Sequence, residues 1–398
     1  MTAVLLIATL PWLAVAAAAA FAVWVPPPLR SPDMPPSADR QPSSVRIVVP
    51  ARNEAENIGP CLRSLTLQDY PDFRITVVDD CSTDGTGRIA RSIAPGHARS
   101  VEVLDGAPLP PGWFGKSWAC AQGARGATEC LLLFTDADTL HGPSLLALAV
   151  RALAEDEASA LTLFGKQELV SFGERLVQPH LFTLLGLRFR NVGSPLGPER
   201  QGDAVANGQY ILVRRSAYDE IGGHVSLRSE VVEDLRFAQR LTGAGHRLSL
   251  RTAGEGLSTR MYHSLREVLD GWTKNLAIGA SQSAGPLGRL ALVAIMGYTV
   301  VAWVLPPAVF VLLVAAGTLN AWWPGGVLLW SGAATLAGFL AWVRVYGRSG
   351  VPRRYALLFP LGAAALAHIT LRSAWRGHRR VEWKGRRYSG GEALGESG

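Results

Sequence analysis

Between Val45 and about Leu257, short β-branched and aliphatic runs alternate with stretches of helical periodicity. That alternation is the signature of an α/β domain with a mostly parallel sheet. It predicts strands at Val45–Val49, Arg74–Asp79, Val101–Leu104, Leu131–Thr135, Ala160–Phe164 and Tyr210–Val213. Helices are expected at Glu56–Leu67, Gly85–Ser92, Ser117–Ala124, Pro143–Ala154 and Glu230–Leu241. A different pattern bounds this region. Ala3–Val25 is one apolar run, long enough to cross a hydrocarbon core and lacking the basic start of a cleaved leader. After Tyr262 comes SLREVLDGWTKNLAIG, an amphipathic stretch whose Trp272 and Lys274 suit a membrane interface. Three apolar segments follow, Leu290–Ala316, Val327–Val343 and Tyr355–Leu371. Pro306–Pro307 is expected to kink or break the first, and Pro360 with Gly362 to turn the last into a non-spanning hairpin.

The chain is therefore expected to divide into an N-terminal anchor (1–25), a Pro-rich linker (26–44), a catalytic α/β domain (45–257), interfacial helices (258–285), membrane segments forming two or three spans (286–372) and a basic tail (373–398). Composition agrees: charged residues make up 18% of the chain, below the roughly 25% of soluble domains. The net charge of +7 is unevenly placed. Residues 30–289 hold 28 basic and 29 acidic side chains, whereas 11 basic and 3 acidic ones follow Arg289. Basic charge confined to an apolar third argues against a nucleic-acid partner and for a collar on anionic lipid headgroups. Arg30, Arg40 and Arg46 after the first apolar run place the α/β domain in the cytoplasm by the positive-inside rule, making this a multi-pass protein of the cell (inner) membrane. Cys61, Cys81, Cys120 and Cys130 have no metal-ligand spacing and read as reduced thiols.

The candidate chemistry sits where strands end. Pro50–Ala51–Arg52–Asn53–Glu54 closes the first strand, at the carboxyl edge where open α/β sheets bind ligands. An N-cap at Asn53 is the simpler account of the same residues. The second strand ends in VVDDCSTDGT; capping explains Ser82–Asp84 but not the Asp79–Asp80 pair, which needs donors such as a nucleobase N–H or ribose hydroxyls. Lys116 in GWFGKSWA precedes a helix, suiting a diphosphate. Asp136 and Asp138, two residues apart after a buried strand, can approach one hard cation. Gly208 in NGQY allows close approach of a ligand. Glu233–Asp234 offers a general base, or a solvated acidic helix start. Arg260 in STRMY could neutralise a departing diphosphate or anchor to lipid phosphate.

In order, PARNE, DDCSTDGT, GKSWA, DAD, VVED and TRMY resemble a membrane-anchored family 2 glycosyltransferase of GT-A fold, over roughly residues 45–275. GWFGKSWA and the tail VEWKGRRY further resemble its carotenoid and hopanoid-associated subgroup. The resemblance implies a Rossmann-like, mostly parallel catalytic domain flanked by transmembrane helices. It implies that Pro50, Arg52, Glu54 and Asp80 hold the nucleoside of a UDP-sugar, with Lys116 near the uridine or diphosphate. Asp136 would reach ribose or metal, Asp138 would ligate Mn²⁺ or Mg²⁺, Asp234 would be the base with Glu233 beside it, and Arg260 would assist the leaving group. The processive synthases' QxxRW motif is absent: position 257 is Leu, and Met261 follows Arg260. The implied activity is metal-dependent, inverting, non-processive hexosyl transfer, with glucose the expected sugar and a carotenoid or other isoprenoid lipid the acceptor. A polyprenyl-phosphate acceptor, or a non-catalytic membrane scaffold, are the alternatives.

Overall fold

The computed structural model describes residues 26–29, 43–189, 195–284, 287–317, 325–376, 380–383, 386–389 and 392–396. The expected anchor at Ala3–Val25 and most of the Pro-rich linker lie outside the described residues. The chain separates into two compact units. One combines residues 26–168, 192–261 and 379–398; the other combines residues 1–25, 169–191 and 262–378.

The first unit is an α/β sandwich. Its elements run β1 (Val45–Ala51), α1 (Ile58–Thr66), β2 (Phe73–Asp79), α2 (Thr86–Arg91), β3 (Val101–Asp105), α3 (Gly115–Ala124), β4 (Leu131–Phe134), β5 (Thr139–His141), α4 (Leu145–Glu155) and β6 (Ala160–Gln167). The helix α5 (Phe172–Phe189) belongs to the other unit. The first unit resumes with β7 (Ile211–Arg214), α6 (Arg215–Glu220), α7 (Glu233–Gly243) and β8 (Leu248–Thr259). One eight-stranded sheet has the order β3-β2-β1-β4-β7-β6-β8-β5. The β3-β2-β1-β4 half is parallel throughout, β6 and β8 are parallel, and β7 and β5 run antiparallel to their neighbours. The mostly parallel α/β sheet expected from sequence is therefore present.

Burial explains why β1 sits centrally: six of its seven residues are buried, as required of a parallel strand covered on both faces. Helix α3 lies so close that a Cβ on Gly123 would come within 2.4 Å of Val48 Cγ1. Register then aligns the strand ends, with Ala51 opposite Asp79 and Asp79 opposite Asp105. Arg52 and Asp80 therefore leave the sheet side by side. β8 was not legible as a strand; it follows β6 through two register shifts at Gly165, where a Cβ would strike the Leu257 carbonyl at 2.5 Å. Its last residues pair with β5, ending the strand beside the acidic loop that follows β4.

The second unit contains α5, α8 (Leu265–Ala284), α9 (Gly288–Thr299), α10 (Leu305–Gly317), α11 (Gly325–Arg348) and α12 (Phe359–Arg376). Three helical stretches, Gly288–Ala316, Val327–Arg348 and Arg353–Trp375, are long and apolar enough to cross a membrane. One expectation is corrected here. The segment that holds Pro306–Pro307 is interrupted by a π-helical turn at Val300–Val304, and the α-helix resumes at Leu305. The last segment is not a hairpin. Pro360 falls in the first turn of α12, where its absent N–H costs nothing, and Gly362 serves close packing. A Cβ there would lie 2.4 Å from His180 Nε2 and 2.6 Å from the Leu176 carbonyl oxygen of α5.

The remaining strands, β9 (Arg380–Trp383), β10 (Arg386–Ser389) and β11 (Glu392–Glu396), form a small antiparallel sheet that groups with the α/β unit.

Candidate active site

The loops after β1 and β2 are clasped together. Asn53 N–H donates to Ser82 Oγ (3.0 Å), Thr83 N–H to Asn53 Oδ1 (2.9 Å), Glu54 N–H to Thr86 Oγ1 (2.8 Å) and Ala55 N–H to Asp84 Oδ2 (2.9 Å). Asn53 and Cys81 hold φ of 51° and 56°, backbone strain that the clasp sustains. Pro50 is inside β1, level with Val78. Arg52 is buried, and its Nη1 donates to the carbonyls of Asp80 (2.6 Å) and Cys81 (3.0 Å), so it shapes the loop beneath the carboxylate. The Glu54 carboxylate accepts from Asn57 Nδ2 at 2.8 Å.

Asp80 is fully buried. Its Oδ2 accepts from Arg386 Nη1 of β10 at 2.5 Å, and its Oδ1 has no hydrogen bond among the described residues. Burial pushes the Asp80 carboxyl up, against the opposing pull of Arg386 and Arg52. The tail was expected to be a membrane-side basic collar. For Arg386 that expectation fails, because a buried carboxylate claims its guanidinium.

The second cluster is built from α3, the loop after β4, and α7. Lys116 Nζ lies 2.7 Å from Asp136 Oδ1 and 2.9 Å from Glu233 Oε1. Its ammonium thus clamps two carboxylates. Gly208 allows the clamp to form: a Cβ there would sit 2.8 Å from Lys116 Nζ and 3.3 Å from Asp234 Oδ2. The Gly208 N–H instead donates to Asp234 Oδ2 at 3.0 Å, and the Leu235 N–H donates to Asp234 Oδ1 at 2.7 Å. Burial and the neighbouring Glu233 charge push the Asp234 carboxyl up to about 6, despite Lys116. For Glu233 burial works the same way, but Lys116 outweighs it and holds the carboxyl below its usual range. Asp136 is raised by burial, with Lys116 opposing. One helix start thus carries two adjacent carboxylates in opposite states of perturbation, the pattern that separates acid–base roles.

The Asp136–Asp138 loop is pinned through its backbone. Thr139 Oγ1 donates to the Asp136 carbonyl (2.7 Å), Thr259 Oγ1 to the Asp138 carbonyl (3.1 Å), and Thr135 Oγ1 to the Gln209 carbonyl (2.7 Å). Arg260 directly follows Thr259, which puts its backbone next to this loop. Among the described residues no three His, Cys, Asp or Glu side chains group as a metal cage. The structure gathers Lys116, Asp136, Glu233 and Asp234 in one cluster; Arg52 and Asp80 form the other, at the ends of β1 and β2.

Sequence reasoning missed two participants. His224 is buried between Phe134 and Phe237, with Nδ1 2.9 Å from the Tyr218 hydroxyl; burial pushes it down to about 4, so it is a neutral support behind Glu233. Arg386 is the other. Its sequence signals were membership of a tail with seven basic residues and its place in the VEWKGRRY motif, neither of which pointed to Asp80.

Fold and site together define an α/β domain with an acidic cluster at the carboxyl edge of its sheet. Residues 46–222 match the family described as Glycosyl transferase family 2. The chain is 30% identical to the 4,4'-diaponeurosporenoate glycosyltransferase of Staphylococcus aureus (strain USA300) over 254 residues, covering 60% of this chain and 62% of that protein's length. Among solved structures, a Pyrobaculum calidifontis mannosyltransferase in complex with GDP-Man and Mn2+ shares 18% identity over 92% of this chain and 99% of that one, with a TM-score of 0.48. Staphylococcus aureus TarS 1-349 in complex with UDP shares 16% identity over 89% and 98%, with a TM-score of 0.40.

Proposed function

We propose that this chain is a membrane-associated glycosyltransferase that moves a hexosyl group, glucose as the first candidate, from a UDP-sugar to a lipid acceptor with inversion. The carrying observation is the half-buried Asp234 carboxylate, held by the Gly208 and Leu235 amides and raised to about 6 beside the Lys116–Glu233 pair. Such a group is ionised at neutral pH yet basic enough to accept a proton from a hydroxyl. In this reading Asp234 Oδ atoms take the proton of an acceptor hydroxyl as its oxygen attacks the anomeric carbon. The bond to the diphosphate oxygen breaks, and the nucleoside diphosphate leaves. Pro50, Arg52, Glu54 and Asp80 form the nucleoside end. Lys116 fixes the carboxylates and lowers the cost of bringing an anionic donor among them. Asp138, with Asp136, would hold a divalent cation, which when bound supplies electrostatic stabilisation of the leaving diphosphate. Arg260 adds positive charge from the end of β8.

The diaponeurosporenoate glycosyltransferase relative supports a carotenoid-type or other isoprenoid acceptor, and the apolar helices support a membrane setting. The α/β unit is assigned to the cytoplasmic face of the inner membrane by the basic flanks of the first apolar run. The test incubates full-length protein in nanodiscs with UDP-glucose and divalent cation, separately with isoprenoid alcohols, carotenoid acids and polyprenyl phosphate. UDP release and a new glycolipid with one of the first two, both lost in Asp138→Ala, are expected. Turnover of polyprenyl phosphate alone refutes the acceptor class, and no UDP release with any acceptor refutes the activity.

A further inference from the structure

His141, the last residue of β5, is a buried imidazole that the transfer chemistry does not use. Its own N–H donates to Ser64 Oγ of α1 at 3.1 Å, which fixes where the side chain starts. Its Nε2 faces two hydroxyls at once, Thr139 Oγ1 at 2.9 Å and Thr135 Oγ1 at 3.2 Å. These two oxygens are 3.1 Å apart, and both threonines are buried.

The two hydroxyls determine which ring nitrogen carries the proton. Thr135 Oγ1 lies 2.7 Å from the Gln209 carbonyl oxygen, and Thr139 Oγ1 lies 2.7 Å from that of Asp136. A carbonyl only accepts, so each threonine commits its single hydroxyl proton there. Neither has a proton left for the other or for the imidazole. Nε2 must therefore be the donor, its hydrogen shared between the two oxygens. Burial pushes the imidazolium down to about 3, so the ring is neutral and this is its one N–H. Without that hydrogen the two oxygens would meet lone pair to lone pair, where burial denies them water.

One donor thus holds two segments of the site. On one side the relay runs from His141 through Thr139 to the Asp136 carbonyl, which also accepts from Cys61 Sγ at 3.6 Å. On the other side it runs through Thr135 to the Gln209 carbonyl. Gln209 follows Gly208, whose N–H donates to Asp234 Oδ2 at 3.0 Å. Both ends meet the same cluster, because Lys116 pairs with Asp136 and with Glu233 beside Asp234.

We propose that His141 is a positioning residue whose Nε2–H, through Thr139 and Thr135, sets the spacing between the backbone carrying Asp136 and the backbone holding Asp234. Its effect on transfer rests on the reading of those carboxylates as site residues; the relay itself does not. The test uses full-length protein in nanodiscs carrying His141→Phe, which keeps a planar ring without the donor, or His141→Gln, whose amide N–H takes the place of Nε2–H. The near-isosteric Thr135→Val and Thr139→Val cut one arm each. Hydrogen exchange read by mass spectrometry should quicken about tenfold at 207–210 in Thr135→Val, at 136–139 in Thr139→Val, and at both in His141→Phe. With UDP-glucose and lipid acceptor, His141→Phe should lower kcat about tenfold to a hundredfold while KM for UDP-glucose stays within about twofold. His141→Gln should recover most of both losses. Unchanged exchange at 207–210 in Thr135→Val overturns the proposal, as does a His141→Gln no better than His141→Phe or a His141→Phe with wild-type kcat. If His141→Phe does not fold, the two threonine variants decide by the same exchange pattern. Absence of UDP release from the wild type refutes the transfer reading alone, and the exchange pattern still decides the relay.

Discussion

Asp234 offers a sharp test, because its assigned role and its effect on stability have opposite signs. Burial and the Glu233 charge raise this carboxyl from an ordinary 3.8 to about 6. At about 1.4 kcal/mol per pH unit, that is a ceiling of roughly 3 kcal/mol by which the folded state disfavours the ionised form. The side chain is half-buried rather than sealed, so solvent screening reduces the usable part to about 1–2 kcal/mol. Asp234→Asn removes the charge while its amide oxygen still accepts from the Gly208 N–H; the Leu235 N–H loses its acceptor, which offsets about 0.5–1 kcal/mol of the gain. The variant should therefore lose transfer activity by about 10²–10⁴-fold while its α/β unit melts about 1–3 °C higher at pH 8.

The pH dependence fixes the sign. The folded state has the higher proton affinity at this site, so the penalty is fully present above about 6. As pH falls from 6 toward 4, the folded wild type takes up a proton and the penalty is relieved. The stability advantage of Asn should shrink over that window and vanish below it. Differential scanning fluorimetry of both proteins between pH 4.5 and 8 at fixed ionic strength, about 0.1 M, reads this directly. A variant no more stable than wild type at pH 8, or an advantage that grows on acidification, refutes the electrostatic account of the cluster. Retained transfer to every lipid acceptor refutes the base assignment.

Other perturbations follow from the same geometry. Arg386→Ala strips the buried Asp80 of its partner and should cost about 3 kcal/mol by chemical denaturation, while Asp80→Asn combined with Arg386→Met should cost less than the two single changes summed. Gly208→Ala places a methyl 2.8 Å from Lys116 Nζ; it should cut activity at least tenfold with a melting shift of only a few degrees, read from steady-state rates and calorimetry. Gly362→Ala forces a Cβ against the Leu176 carbonyl and His180, and should destabilise the helical unit by about 1–3 kcal/mol in detergent unfolding without altering UDP binding. In wild type, acid loss of transfer activity should follow a single ionisation near 6, and that limb should disappear in the residual activity of Asp234→Asn.

The legible parts of this chain are those whose local pattern is also their tertiary role. β1, β2 and β4 read as strands because they are buried on both faces, and their ends announced Arg52, Asp80 and Asp136. β5 has three residues, too few for any periodicity. β8 carries Gly and polar residues through its middle, because it shifts register around Gly165 and changes partner from β6 to β5. Helix α5 escaped notice because Pro179 interrupts a pattern that is apolar on more than one side. Within the site, sequence supplied the acidic residues but not their arrangement. Lys116 looked like a phosphate ligand, whereas its shortest contacts are with Asp136 and Glu233.

The tail shows why arrangement escapes a one-dimensional reading. Seven basic residues between Arg372 and Tyr388 beside an apolar segment fit a headgroup-binding collar, and average charge cannot distinguish one of them from the rest. What singles out Arg386 is a vacancy in the charge balance 306 residues earlier. Asp80 is fully buried, and Arg52 Nη1 donates to backbone carbonyls of the same loop. A carboxylate so placed must either take up a proton or recruit a cation. The short β9–β10 pairing sets Arg386 opposite Trp383, and from that strand its guanidinium reaches Asp80. The residue proposed for the nucleoside end therefore depends, for its charge and its orientation, on the opposite end of the chain. A nucleotide that reached Asp80 would have to share it with Arg386 or displace it, so shortening the tail must change nucleotide affinity as well as stability.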